Sequence, residues 1–197
     1  MKIHDVKQGT PEWVAVRLGK FTASDAQSIA TNGKGLETLV FEKAAEILTG
    51  QQKESYSNAD MERGHALEML ARNSYELEKG VMVTQVGFIE IDEYIGCSPD
   101  GMVLEEGLLE IKCKNDSNFL KFAFDNIIDP AHDYQMQMQL LVTGRKWVDY
   151  VLFNPNFDRS TVITRVLRSE EKIKKIETGL QTAKAKLAEI LKVVNKN

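Results

Sequence analysis

The sequence predicts an α/β chain of the α+β kind, with a mixed central β-sheet flanked by helices. Three observations predict it. Residues 11–79 carry apolar side chains at helical spacing, in runs that close on glycines. Residues 81–114 switch to short Val-, Ile- and Leu-rich runs separated by turn residues, the signature of strands. Beyond residue 115 the pattern runs helix, helix, strand, strand, helix. Helices that precede and follow a block of strands cover its faces, because each apolar face needs a partner.

Taken in order, Thr10 followed by Pro11 supplies an N-cap and a first-turn proline, so 11–18 reads as a short helix stopped by Gly19. "TASDAQSIA" opens a second helix capped by Thr22 or Ser24. A third spans about 36–48 and stops at Gly50. After loop 51–58, a long helix runs from about 59 to 79 and closes at Gly80. "VMVTQVGFIEI", "EYIGCS", "GMVLEE" and "GLLEIKCK" read as a strand meander. A helix from Ser117 stops at Asp129-Pro130, and "HDYQMQMQLLVTG" is the next. "KWVDYVLFN" and "STVITRVLR" are strands. From Ser169 a single helix carries Ile173, Ile176, Leu180, Ala183, Leu187, Ile190 and Val194 in steps of three and four. That seam serves either an oligomer contact or packing on the chain's own body. Packing on its own body is preferred, since Gly179 weakens a long free coiled coil.

The 197 residues are 43% hydrophobic and 27% charged, as in an ordinary soluble protein that buries a proper core. No apolar run reaches the roughly 20 residues of a membrane span, and "MKIHDVKQGTPEW" has no signal-peptide pattern, so a cytoplasmic setting is expected. Cys97 and Cys113 share no metal-ligand spacing and read as small core residues of a reducing compartment. The net charge of −4 argues on its face against a nucleic-acid partner. Its distribution softens that: nine Lys and Arg face four acids from Arg165 onward, leaving 16 against 25 before it. An acidic body meets phosphates only through a bound cation and a local basic lining.

"SPDGMVLEEGLLEIKCK", residues 98–114, is where such a cation fits. Glu110 and Lys112, two apart, leave one face of a strand, while Ile111 and Cys113 point the other way. The Pro99-Asp100-Gly101 turn lets the next strand return alongside, bringing Asp100 within reach of Glu110. Two carboxylates so placed suit a hard divalent ion such as Mg²⁺, which takes one or two carboxylates plus waters and phosphate oxygens. An ammonium on the same face holds a water or offsets phosphate charge. Each residue alone has a plainer reading: Asp100 a turn aspartate, Glu110 and Lys112 a solvated pair, Glu68 a surface charge on a charged helix.

"PD … EIK" resembles the PD-(D/E)xK nuclease signature, and its flanks sharpen the likeness. "RLGKFTAS" (Arg17 to Ser24), "RGHALE" (Arg63 to Glu68), "SPDG", "LEIKC" and "YQMQMQ" (Tyr134 to Gln139) occur in the order and spacing of the YqaJ-like viral recombinases, the lambda exonuclease family. The resemblance covers roughly residues 9–155. It implies a restriction-endonuclease-like core, with 1–197 a single nuclease domain and 169–197 its C-terminal amphipathic helix. It further implies that Asp100, Glu110, the Ile111 carbonyl and Glu68 hold two Mg²⁺ ions, with Mn²⁺ a substitute. Lys112 and Gln137 would place the attacking water, with Gln139 a second candidate. Arg17, Ser24 and Ser117 would grip a 5′-phosphate. Where the family adds an arginine after the Glu-x-Lys strand, this chain has "NDSN" (Asn115 to Asn118). The implied activity is 5′-to-3′ digestion of linear double-stranded DNA, releasing mononucleotides and leaving 3′ tails for phage-type recombination; the alternative is an endonuclease or nickase on the same core. The implied partners are duplex DNA ends, two further copies in a ring-shaped homotrimer and a single-strand annealing protein. The implied setting is the bacterial host cell's cytoplasm, with no membrane.

Overall fold

The structure, a computed structural model, describes residues 1–52 and 59–194, without the side chains of 59–65. Arg63 and His65 of the "RGHALE" motif and most of loop 51–58 therefore lie outside the described side chains.

Strands β1 (Lys2–His4), β2 (Phe21–Thr22), β4 (Phe88–Asp92) and β5 (Ile95–Cys97) form one sheet in the order β1-β4-β5-β2. Strands β3 (Val83–Thr84), β6 (Gly101–Val103), β7 (Gly107–Cys113), β8 (Trp147–Phe153) and β9 (Thr161–Leu167) form the other, in that order. Both are mixed: β2 runs parallel to β5 and β7 parallel to β8, all other pairs being antiparallel. The expected meander is therefore split between two sheets. The run 81–91 breaks at Gln85–Gly87, where Gly87 lies so close to the Val6 carbonyl that an added Cβ would stand 2.0 Å from it. That crossing turns the chain from β3 in one sheet to β4 in the other. β1 and β2 escape a sequence reading because two or three residues hold no period; their partners alone make them strands.

The helices are α1 (Pro11–Arg17), α2 (Ala26–Thr31), α3 (Lys34–Thr49), α4 (Ala59–Lys79), α5 (Asp116–Asp125), α6 (Pro130–Thr143) and α7 (Glu170–Val194). The Thr10 hydroxyl accepts from the Trp13 N–H, as a cap should. A 3₁₀ turn (Ala23–Asp25) precedes α2, and Asp25 Oδ2 accepts from both the backbone N–H and the hydroxyl of Thr22. Asp129-Pro130 starts α6 rather than ending α5: Asp129 caps the Ala131 N–H, and α5 has already stopped at Asn126 in the left-handed conformation.

The five-stranded sheet is covered on both faces. Leu109, Ile111, Val151 and Phe153 pack against Ala71 and Tyr75 of α4. Leu108, Tyr150 and Leu152 pack against Phe119 and Phe122 of α5 and Met136 and Leu140 of α6. α7 lies back on its own chain: Ile173, Ile176, Leu180, Ala183 and Leu187 are buried, the larger of them worth about 1.5–3 kcal/mol apiece before entropy is counted. Gly179 is the close approach, since a Cβ there would stand 1.9 Å from the Ile29 carbonyl of α2. The glycine that weakens the helix in isolation seats it in the fold. Among the described residues no helix is long and apolar enough to cross a membrane.

Candidate active site

A cleft of about 490 Å³ opens where the two sheets meet. One wall is the end of β7 with the turn before β6, carrying Asp100, Glu110 and Lys112. A second part of its lining is α1 and the 3₁₀ turn, carrying Arg17 and Ser24, and Glu68 of α4 lines it as well.

Strand pairing explains the first wall. β6 pairs with β7 only as far as Gly101 opposite Leu109, so β7 runs on past the end of its neighbour. The Ile111 N–H on that edge is taken by Asp100 Oδ2 at 2.6 Å. A residue's N–H and C=O leave an antiparallel strand on the same edge, so the Ile111 carbonyl faces the Asp100 side too. Glu110 lies on the α6 face and is 2% exposed, which excludes a solvated pair. Its Oε1 receives Lys112 Nζ at 2.6 Å and Gln135 Nε2 at 2.7 Å, and its Oε2 receives Gln139 Nε2 at 2.6 Å. Burial, and then the Glu110 charge, push the Asp100 carboxyl well above the usual carboxylate range, with Glu68 adding to the effect and Lys112 opposing it. Burial pulls the Lys112 ammonium down, but Glu110 and Asp100 outweigh it and hold the group above its ordinary value.

On the second wall the Arg17 guanidinium lies 3.9 Å from the Trp13 ring centroid, and its Nη1 donates to the Ser98 hydroxyl at 3.3 Å. Trp13 Nε1 donates to the same hydroxyl, which in turn donates to the Gly87 carbonyl. Burial lowers the Arg17 pKa from its ordinary value, although the group stays a cation. Ser24 is exposed in the first turn of the 3₁₀ segment, its hydroxyl 3.0 Å from that of Thr22. A forked cation and a hydroxyl that line one cleft are donors suited to phosphate.

Two expected positions do not line the cleft, and a third lines it while paired elsewhere. Gln137 faces away from the cleft: its Nε2 donates to the Leu167 carbonyl and its Oε1 accepts from the Ser169 N–H. The reason is helical geometry. Gln135 and Gln139 are one turn apart and share the Glu110 face, while Gln137 is turned about 200° from Gln135. Ser117 is exposed on α5, where it donates to Asn115 Oδ1, and it does not line the cleft; Asn115 and Asn118 do. Glu68 comes from α4, on the opposite sheet face from Glu110, and pairs with Arg72 at 2.6 Å. Among the described residues no three His, Cys, Asp or Glu side chains stand together closely enough to hold a metal. Gln135 was missed by sequence reasoning, as were Trp13 and Ser98; only the i, i+4 spacing to Gln139 pointed to the first.

The remaining set still fits a divalent cation. Asp100, Glu110 and the Ile111 carbonyl are hard oxygens at one strand end, and two carboxylates with phosphate and water suffice for Mg²⁺. Glu110 Oε2 has a single donor and keeps acceptor capacity. The raised Asp100 carboxyl is what an adjacent cation would relieve.

Fold and cleft together define a member of the PD-(D/E)xK nuclease superfamily. The chain belongs to the YqaJ-like viral recombinase domain family, whose model matches residues 12–146. It is similar to an alkaline exonuclease from Laribacter hongkongensis, at 36% identity over 95% of this chain and 97% of that one, with a TM-score of 0.88. The structure of that exonuclease in complex with dAMP matches equally well. A phage related exonuclease from Haemophilus somnus 129PT shares the fold at 17% identity, over 89% of this chain and 96% of that one, with a TM-score of 0.66. No curated protein matches the chain.

Proposed function

We propose that the chain is a divalent-cation-dependent exonuclease that digests linear duplex DNA from its 5′ ends, releasing mononucleotides and leaving 3′ single-stranded tails. The observation that carries this reading is the pairing of two walls in one cleft. A carboxylate–lysine wall suited to a phosphodiester shares that cleft with a wall whose Arg17 and Ser24 suit a terminal phosphate. Support comes from the relative described as an alkaline exonuclease, whose complex with dAMP shows a nucleotide bound to that protein.

A Mg²⁺ or Mn²⁺ ion held by Asp100, Glu110 and the Ile111 carbonyl would supply Lewis-acid charge beside the scissile phosphate. The chain's own groups do the rest. Lys112, pinned by Glu110 and 3.4 Å from Gln135 Oε1, holds its ammonium where charge grows on the phosphate. The Gln135 amide borders the same space and orients the attacking water. The water oxygen bonds to phosphorus and gives up a proton as the P–O3′ bond breaks, and the departing 3′ oxygen takes up a proton from solvent. The nucleotide leaves with its own 5′-phosphate, and the shortened strand carries a new one. Each turnover thus regenerates the group that Arg17 and Ser24 recognise. A ring-shaped trimer and an annealing partner, both implied by the resemblance, belong to this proposal as its assembly-level consequences.

The test compares 5′-phosphorylated linear duplex, 5′-hydroxyl duplex and covalently closed circle, each with Mg²⁺ or EDTA. Mononucleotide release from the phosphorylated duplex alone, abolished by EDTA, is the expected result. Cleavage of the circle at a matching rate would replace the exonuclease reading with an endonuclease or nickase.

A further inference from the structure

Glu110 is held from three sides, but its two oxygens are not equivalent. Oε1 receives both Lys112 and Gln135, whereas among the described residues Oε2 meets Gln139 alone. Gln139 is fully buried in α6, has no direct access to substrate, and belongs to no role in the mechanism above. Its Nε2 lies 2.6 Å from Oε2, while its buried Oε1 meets no hydrogen-bond donor among the described residues. Turning the amide over would bring acceptor against acceptor at the carboxylate, so the donor belongs on Oε2. The amide is thus oriented with its donor on that oxygen.

We infer that Gln139 is a positioning residue for the cation site: by fixing Glu110 Oε2 from behind, it sets the direction of that oxygen's remaining lone pair and thereby the affinity for a divalent ion. The inference rests on the proposed cation dependence. Its physical basis is general: a group hydrogen-bonded to a ligating carboxylate fixes the ligand's orientation, and its loss costs about 10- to 100-fold in metal affinity. Without the amide, Glu110 is tied at Oε1 alone and can rotate about its terminal torsion.

The helix supplies an internal control. Gln137 is as buried as Gln139 (1% and 0% exposed) and makes two hydrogen bonds of its own, to Leu167 and Ser169. Those bonds tie α6 to the β9–α7 corner and not to the cleft. Gln139→Met and Gln137→Met therefore remove equally buried amides from opposite sides of one helix.

The experiment measures Mn²⁺ binding to the full chain by calorimetry and by the free Mn²⁺ electron spin resonance signal, beside melting temperature and the Mn²⁺ dependence of digestion. Gln139→Met is expected to weaken Mn²⁺ binding about 10- to 100-fold. The Mn²⁺ concentration for half-maximal digestion should move by the same factor, with the rate recovered at saturating Mn²⁺. Gln137→Met is expected to lower the melting temperature and leave the Mn²⁺ affinity within about twofold, inside the range of ordinary uncoupled sites. Gln139→Asn keeps an amide but withdraws it by one methylene; it should shift affinity in the same direction and serves if the methionine variant does not fold. Unchanged Mn²⁺ affinity in the folded Gln139 variants overturns the inference, as does an equal loss in both the 137 and 139 variants. A wild-type chain that takes up no Mn²⁺ overturns the proposed function itself.

Discussion

On one wall of the cleft Glu110 is 2% exposed and receives three side-chain hydrogen bonds. On the other, Ser24 is exposed, and Arg17 rests on a tryptophan face with one hydrogen bond to Ser98. The first wall is built on a strand and helix packed from both sides, and its charges are held where water is scarce. The second is a short helix and a 3₁₀ turn. The difference teaches how a site divides its work. Groups that act on charge developing in a reaction gain from a fixed, dry setting, because nothing need reorganise when the charge appears. On the second wall Ser24 keeps the access to solvent that the proposed binding of a chain end requires, while Arg17 is largely covered.

Breaking the dry wall should have the largest effect. Asp100→Asn keeps an acceptor for the Ile111 N–H but removes the charge, and should lower digestion by about 10³-fold or more. The same variant should raise the melting temperature of the metal-free chain at neutral pH. The sign follows from linkage: a carboxyl raised above its unfolded value supports folding below that unfolded value, and this support is lost as pH rises through the folded one. A metal-free D100N chain that melts lower than wild type at neutral pH would show that Asp100 carries no such penalty.

The open wall should respond less. Arg17→Ala removes charge-assisted hydrogen bonds of about 1.5–3 kcal/mol, so digestion of 5′-phosphorylated ends should fall about 10- to 150-fold. Discrimination from 5′-hydroxyl ends should vanish with it; retained discrimination in end-labelled assays would place phosphate recognition elsewhere.

Support behind the dry wall offers a stability test. Tyr75 of α4 donates to the buried Asp149 at 2.8 Å, and Arg165 forks onto the same carboxylate at 2.8 and 2.9 Å. Tyr75→Phe leaves the carboxylate short of one donor and should cost about 1–3 kcal/mol in denaturant unfolding. A loss well under that would mean Arg165 alone satisfies Asp149.

A further test concerns pH, where the effect is confined to the acid range. His132 Nδ1 is 2.8 Å from the Tyr150 hydroxyl, and burial, aided by Lys112 and Lys114, lowers its pKa to about 4. The folded chain therefore resists a proton that the unfolded chain accepts near 6.5. The stability from this neutral ring is complete above about 6.5 and is lost as pH falls toward 4. His132→Asn should flatten the melting temperature over that window; an unchanged slope would assign the acid sensitivity to other groups.

How much of this was legible in the sequence differs between the walls as well. Asp100, Glu110 and Lys112 were legible because a Pro-Asp-Gly turn and a two-residue strand period are local facts. Arg17 and Ser24 were singled out only by the resemblance to the family, and both line the same cleft. Gln137 was expected at the cleft and Gln135 stands there instead, because a Tyr-x-x-Gln pattern does not state which face of a helix meets a strand contributed from more than twenty residues away. Ser117 lies outside the cleft for the same kind of reason, since helix rotation decides where its side chain ends, while Glu68 lines the cleft as expected but pairs with Arg72.

Segment type, caps, the apolar seam of α7 and the carboxylate–lysine strand were set by the sequence alone, through interactions within a few residues of each side chain. Tertiary structure alone decided the division into two sheets, the two-residue strand β2, the burial of Glu110 and the choice of Gln135 and Gln139 over Gln137. Those outcomes depend on partners distant in the chain, and the packing that brings them together has no local period to announce it.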